Sequence, residues 1–331
     1  MEIEPKERRY ALLVNPGAGT ASADRKVRKL RPAMEVLRVN ERDLWGLDTK
    51  SPEEFRELAR QLAESGYYDY EVFCGGDGTL SDGLNMYDDM PPSIPLAFLP
   101  FGNGNAFSHS TGSSARDIVE DAQRIADGVE HKIDLILCSA DGVKPTRALF
   151  GGVGIEAYVL GERAEIQEEE LRTGKRSNGL LVYGKSTWRV YMGKCNSHNW
   201  KRIDAGVSVD GREFIVKRNL TTIVSKVPCW GYGMTPVPLA ELADGKLHIL
   251  GVSDPGLWGT ARGIAGCFLG EGNIVRYPSG KTSTKIGHYD SGERVIIDMP
   301  EEVLYQTDGT CRGIGQHFEF SVEPRALRMI Y

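Results

Sequence analysis

The residues best placed for chemistry are Gly75-Gly76-Asp77-Gly78-Thr79, directly after the apolar-rich segment Tyr70-Glu71-Val72-Phe73-Cys74. Glycines let backbone N–H groups come close to a ligand, and the start of a following helix adds a partial positive charge and free donors. Such a turn favours phosphate and holds the Asp77 carboxylate at its edge. Phosphoryl transfer is the chemistry this combination suggests. Two more turns repeat the pattern: Pro100-Phe101-Gly102-Asn103-Gly104-Asn105 after Ile94–Leu99, and Asn15-Pro16-Gly17-Ala18-Gly19-Thr20 after Arg9–Val14. Asp308-Gly309 and Asp244-Gly245 add two acidic turns later in the chain.

Each glycine turn needs a strand to carry it. Strands near Ala11–Val14, Val36–Val39, Val72–Cys74 and Leu96–Leu99 make a β/α series. The three turns then fall at the carboxyl edge of one parallel sheet, where open α/β sheets bind ligands. Ser51-Pro52-Glu53-Glu54 reads as a capped helix start, with Phe55, Leu58 and Leu62 at helical spacing and Gly66 as the stop. Beyond residue 137 strand signals dominate, at Thr221–Val224, Leu247–Leu250, Val295–Ile297, Val303–Tyr305 and the alternating Phe318, Phe320 and Val322. The expected fold is therefore α/β. A Rossmann-like three-layer nucleotide-binding domain spans 1–137, and a mostly antiparallel β-sandwich domain spans 138–319. A return of about 320–331 to the first domain is left open. Glu165–Arg176 reads as a solvated loop or exposed helix, and Asn178–Met192 as a helix.

Composition narrows the class. The 331 residues carry a net charge of −6, which argues against a strongly basic nucleic-acid binder. The six cysteines are scattered with no C-x-x-C pair, so reduced thiols in a cytoplasmic protein are expected. The charged N-terminus does not read as a signal peptide, and no window is apolar enough for a membrane span. A lipid would have to be reached peripherally, from outside the bilayer. The histidines show no ligand spacing.

Two motif matches fail on inspection. The third glycine of a dinucleotide fingerprint would fall on Ser22, and the first glycine of a Walker A loop ending in Ser279-Gly280-Lys281-Thr282 would fall on Val275.

Asn15-Pro16, Gly75–Thr79 with Leu80 and Asn85, Pro100–Asn105, Ile133-Asp134, Gly151–Glu156, Asp244-Gly245 and Asp308-Gly309 together resemble the diacylglycerol kinase catalytic-domain family, which includes bacterial lipid kinases and sphingosine kinases. The resemblance runs over nearly the whole chain. It implies an ATP- and Mg²⁺-dependent kinase that phosphorylates a lipid hydroxyl at a membrane surface, with ATP in a cleft between the domains. Asn15, Gly17, Gly19 and Thr20 would touch the nucleotide. Gly75, Gly76, Gly78 and Thr79 would line the phosphates, with Gly102, Asn103, Gly104 and Asn105 opposite. Asp77 and Asp308 are the implied catalytic carboxylates, Asp244 with neighbouring carbonyls the implied Mg²⁺ loop, and a homodimer is compatible with it.

The chain departs from the family pattern at several positions. Asn103 stands where many members have Thr, and Ala106 where many have Asp. Thr310 replaces the Glu of Asp-Gly-Glu, Thr20 replaces a Lys, and Ser81-Asp82 replaces Asn-Glu. Blander readings remain beside the functional ones. Asp77 could bond its own turn, Asp308-Gly309 could be a type I′ hairpin turn, Asp244 could be a turn residue, and Thr79–Asp82 fits a capping box. A soluble-substrate kinase, with NAD as leading acceptor, and a non-catalytic lipid- or nucleotide-binding relative are the alternatives. Val227-Pro228-Cys229-Trp230 and Leu257–Leu269, near the basic Arg262, Lys281 and Lys285, could border a lipid entrance or belong to the core.

Overall fold

The computed structural model describes residues 8–18, 22–102, 104–113, 117–173, 179–194, 199–268 and 287–331. The chain divides into two units, Met1–Asp134 with Pro324–Tyr331, and Leu135–Glu323.

The first unit is built on a parallel sheet. Its strands are β1 (Tyr10–Val14), β2 (Leu44–Trp45), β3 (Tyr70–Gly75) and β4 (Leu96–Pro100), in the order β2-β1-β3-β4. Helices α1 (Ala23–Leu37), α2 (Pro52–Glu64), α3 (Asp77–Leu84), α4 (Ala106–Ser110) and α5 (Ile118–Asp127) connect them. Alternation within the strands feeds two layers. Leu12, Val14, Val72, Cys74, Ala97 and Leu99 pack with Leu30, Met34 and Leu37 of α1 and Ala122 and Ile125 of α5. Phe73 points the other way, edge-on to Phe55 of α2 at 6.1 Å.

The α2 start is as expected: Ser51 accepts from Glu54 N at 3.2 Å, with Pro52 at the first helical position. The Glu54 carboxylate returns to Lys50 N rather than to Ser51. Two expectations need correction. Val36–Val39 is not a strand; Leu30, Ala33, Met34 and Leu37 bury one helical face, so α1 runs on to Leu37 and the strand forms at Leu44–Trp45. Thr79–Asp82 is not a capping box, because the α3 N-cap is Gly76 and Asp82 instead pairs with Arg56 at 2.9 Å.

The second unit takes in β6 (Thr146–Ala148), β7 (Phe150–Gly154), β8 (Ala205–Val209), β9 (Arg212–Val216), β10 (Asn219–Ser225), β11 (Leu247–Ser253), β12 (Gly287–Gly292) and β13 (Arg294–Thr307). Two strands, β5 (Glu130–Ala140) and β14 (Thr310–Ile330), run across the boundaries of the two units. Pairings within the second unit are antiparallel. Inward-facing residues such as Val153, Val207, Val224, Ile249, Ile297, Phe318 and Phe320 form one core. A second core joins Leu220, Ile223, Leu250, Val252 and Leu304 of the strands to helices α6 (Ile155–Thr173) and α7 (Gly179–Tyr191). The charged stretch from Glu165 is thus the outer end of α6. The remaining helix is α8 (Leu257–Phe268). Val227 and Cys229 are buried, while Pro228 and Trp230 between and after them are half-buried. Among the described residues the cysteines are free, and no helix is long and apolar enough to cross a membrane.

One buried group carries a stability cost. Glu71 in β3 is fully buried, neither carboxyl oxygen has a hydrogen-bonding partner among the described residues, and burial pushes its pKa from 4.5 up to about 9. The folded chain keeps this proton while the unfolded chain releases it near the ordinary value, so the site destabilises the fold progressively as pH rises from 4.5 to about 9. Glu71→Gln is expected to be more stable than the parent at about pH 8, by on the order of a few kcal/mol, and so to melt higher, with the gap closing below about pH 4.5. Melting curves across that range check this; a gap that widens toward acid would refute it.

Candidate functional site

Because β1, β3 and β4 are parallel and adjacent, the turns that follow them meet at one sheet edge. Asn15 leaves β1 with its N–H on Cys74 O, donates Nδ2 to Thr79 Oγ1 at 3.0 Å, and accepts Gly17 N on Oδ1 at 2.8 Å. This ties the first turn to the second. Gly75 O accepts from Phe101 N at 2.6 Å and Gly102 N at 3.1 Å, which ties the second to the third. Asp77 adds a further link, its Oδ1 accepting from Ala106 N at 2.7 Å.

Glycine is required where the turns touch. A Cβ on Gly102 would lie 2.5 Å from the Gly76 Cα, and a Cβ on Gly75 would collide with Thr79 Oγ1 at 2.1 Å. Asn105 adopts a left-handed conformation, φ 51°, and donates Nδ2 to Gly102 O at 3.0 Å. Its Oδ1 is buried without a hydrogen-bonding partner among the described residues. α3 starts straight from the second turn, with Thr79 N at 2.9 Å and Leu80 N at 3.2 Å closing onto Gly76 O, so the positive end of the helix lies at that turn. Oriented backbone donors, closely approaching glycine backbones and a carboxylate at the rim suit a polyphosphate.

The structure therefore brings together Asn15, Gly17, Gly75, Gly76, Asp77, Gly78, Thr79, Gly102, Gly104 and Asn105. Gly19, Thr20 and Asn103 lie outside the described residues, as do Ser279–Thr282 and Lys285. Lys26 escaped notice in the sequence. It is buried, and its Nζ donates to Asn15 O at 3.0 Å and also to Pro16 O, fastening the first turn from beneath. The available signal was its register on the apolar face of α1, one turn before Leu30.

Within the second unit, Asp308 sits at φ 48° and Gly309 at φ 72°, in a two-residue connection between the paired Thr307 and Thr310. That is the hairpin geometry a type I′ turn demands. Asp308 Oδ1 accepts from Leu149 N at 2.9 Å and Phe150 N at 3.2 Å, so the carboxylate clamps the hairpin onto the start of β7. At the far end of β7, burial pushes the Glu156 carboxyl up to about 7 beside Thr221.

The residues at Asp244 do not fit the implied Mg²⁺ loop. Asp244 Oδ1 lies 2.5 Å from the buried Lys226 Nζ and Oδ2 lies 2.7 Å from His248 Nε2. Burial pushes the Asp244 carboxyl up, but the bonds from Lys226 and His248 outweigh it and hold the pKa below the ordinary carboxylate value. Among the described residues no group of three His, Cys, Asp or Glu side chains could hold a metal ion.

A separate cleft of about 510 Å³ lies at the amino ends of β3 and β4, the opposite edge from the glycine turns, with Arg8, Asp69, Glu130 and Arg328 in its lining. Arg8 is spent on the carbonyls that end α5, and Arg328 contacts Glu130.

Residues 9–138 match the family model described as the diacylglycerol kinase catalytic domain. No curated protein matches the chain. Among solved structures, a provisionally assigned diacylglycerol kinase from Bacillus anthracis strain Sterne has TM-score 0.70 at 20% identity, over 98% of this chain and 97% of that one. A second structure, described as a diacylglycerol kinase from the same organism, has TM-score 0.65 at 19% identity with the same coverage. These likenesses show the two-domain α/β fold.

Proposed function

We propose, from the match of residues 9–138 to the diacylglycerol kinase catalytic-domain model, that this protein transfers the γ-phosphoryl group of ATP to the hydroxyl of a lipid. The observation that carries the reading is the back-to-back packing of Gly76 and Gly102, which leaves two glycine turns open to a polyphosphate with Asp77 between them. In the transfer the lipid hydroxyl oxygen bonds to the γ-phosphorus, the bond to the β–γ bridging oxygen breaks, and ADP leaves. The hydroxyl proton passes to a carboxylate, for which Asp77 is the residue at the turn. Little covalent work is asked of the protein; positioning and charge neutralisation dominate. Mg²⁺ brought with the nucleotide would supply part of that neutralisation.

A lipid acceptor is favoured by α8. Its exposed face carries Trp258, 86% exposed, with Ala261, Arg262, Ile264 and Ala265. An apolar face with a basic residue suits reversible docking on an anionic bilayer. Trp258→Ala is expected to weaken vesicle co-sedimentation roughly tenfold without changing the melting temperature. Equal sedimentation of variant and parent would remove α8 from the docking surface.

The deciding experiment offers labelled ATP with diacylglycerol, sphingosine, ceramide, phosphatidylglycerol or NAD and separates the products by chromatography. A labelled lipid supports the proposal. Labelled NAD in lipid-free buffer, from a protein that never sediments with vesicles, would replace it with a soluble-substrate kinase. Nucleotide binding with no labelled product would favour the non-catalytic alternative, consistent with Thr310 where the family has a carboxylate.

A further inference from the structure

The loop at Asp244 was expected to wrap a divalent cation, and the structure fills that place with a side chain. Lys226 follows β10 and its backbone N–H bonds to Leu149 O at 2.8 Å, so the residue is fixed at the strand end. Its side chain is fully buried. Its ammonium reaches Asp244 Oδ1 at 2.5 Å and the Lys246 carbonyl at 2.7 Å. One carboxylate oxygen and one main-chain carbonyl two residues on are the hard oxygen donors a divalent ion would use there. Gly245, at φ 74°, turns the chain between them. The second carboxylate oxygen is taken by His248 Nε2, and His248 Nδ1 in turn faces Tyr289 Oη at 2.5 Å.

The geometry points to Lys226 as the resident cation of this loop: its ammonium replaces the structural metal, and Glu241–Lys246 holds its shape without any divalent ion. The charges support the replacement. A buried lysine and Asp244 make a neutral pair. A divalent ion entering beside the ammonium would meet like charge in a poorly solvated place, with both carboxylate oxygens already engaged. Without the ammonium, the same oxygens would be left with an excess of negative charge and a demand for a cation. The inference concerns the second unit alone and stands whichever acceptor the kinase uses.

The test uses the full chain without nucleotide, so that metal carried by ATP contributes nothing. The parent should melt at the same temperature in EDTA and in millimolar Mg²⁺ or Ca²⁺, and elemental analysis after gel filtration should find no stoichiometric divalent metal. Lys226→Met keeps the apolar stem and deletes the charge. It should melt lower than the parent in EDTA and regain much of the loss when Mg²⁺ or Ca²⁺ is added, because a ligand that binds only the folded form stabilises it. Adding Asp244→Ala to that variant should abolish the gain. A parent that carries one divalent ion per chain, or loses stability in EDTA, overturns the inference, and this holds even where Lys226→Met fails to fold. A folded Lys226→Met that gains nothing from either ion also overturns the equivalence of ammonium and metal.

Discussion

Asp77→Asn is expected to fold like the parent, bind ATP, and lose between about 10²- and 10⁴-fold in turnover, the usual loss on removing a general base. The structure makes this variant more informative than a simple deletion. Asp77 Oδ1 accepts from Ala106 N, and an asparagine side-chain oxygen can accept the same bond. The variant keeps the link between the second and third turns and removes only the charge. Asp77→Ala removes both, so its melting temperature should fall as well as its turnover. Wild-type turnover in Asp77→Asn with a destabilised Asp77→Ala would reduce the residue to a turn brace. Asp308 offers the contrast. Its carboxylate is bonded to two backbone amides at β7, so Asp308→Ala is expected to cost stability first.

Gly102→Ala should abolish measurable ATP binding by calorimetry. The added methyl would fall 2.5 Å from the Gly76 Cα, which is backbone and cannot rotate away. The turns must part, and misplacement on the order of 1 Å at a reacting centre can cost about 10²-fold in rate. A matched control isolates the cause. Gly184, inside α7, has nothing within 4 Å of its would-be Cβ, so Gly184→Ala adds the same methyl and should leave binding and activity intact. Binding by Gly102→Ala at parental affinity would mean the nucleotide lies elsewhere.

The three turns were legible because each joins two strong local signals, an apolar run and a glycine-rich break, and a parallel sheet then aligns them without further information. What joins them was not. The Asp77–Ala106 and Asn15–Thr79 bonds span 29 and 64 residues, and nothing local announces them. Val36–Val39 misled because a β-branched pair at the end of an amphipathic helix imitates a strand; the burial of Leu30, Met34 and Leu37 decided the matter. Lys26 and Lys226 were passed over for a common reason. A lysine reads as a surface residue until tertiary structure supplies oxygens for its ammonium and apolar neighbours for its stem. Asp244 reads from the sequence as a Mg²⁺ ligand, but the charge it meets is the Lys226 ammonium, 18 residues earlier.

The return of Pro324–Tyr331 to the first unit has a consequence for how the protein is made. Met329 pairs with Leu96 of β4, Arg325 N bonds to Asp134 Oδ1 at 2.8 Å, and the Tyr331 ring lies 4.4 Å from that of His131. As the ribosome delivers the chain, every residue of the second unit emerges before these last contacts can form. The second unit is contiguous and can close on itself, while the first must wait with the β4 edge bare. An uncovered edge is a template for pairing with another chain, so the nascent first unit passes through synthesis with its β4 edge open until Pro324–Tyr331 arrives.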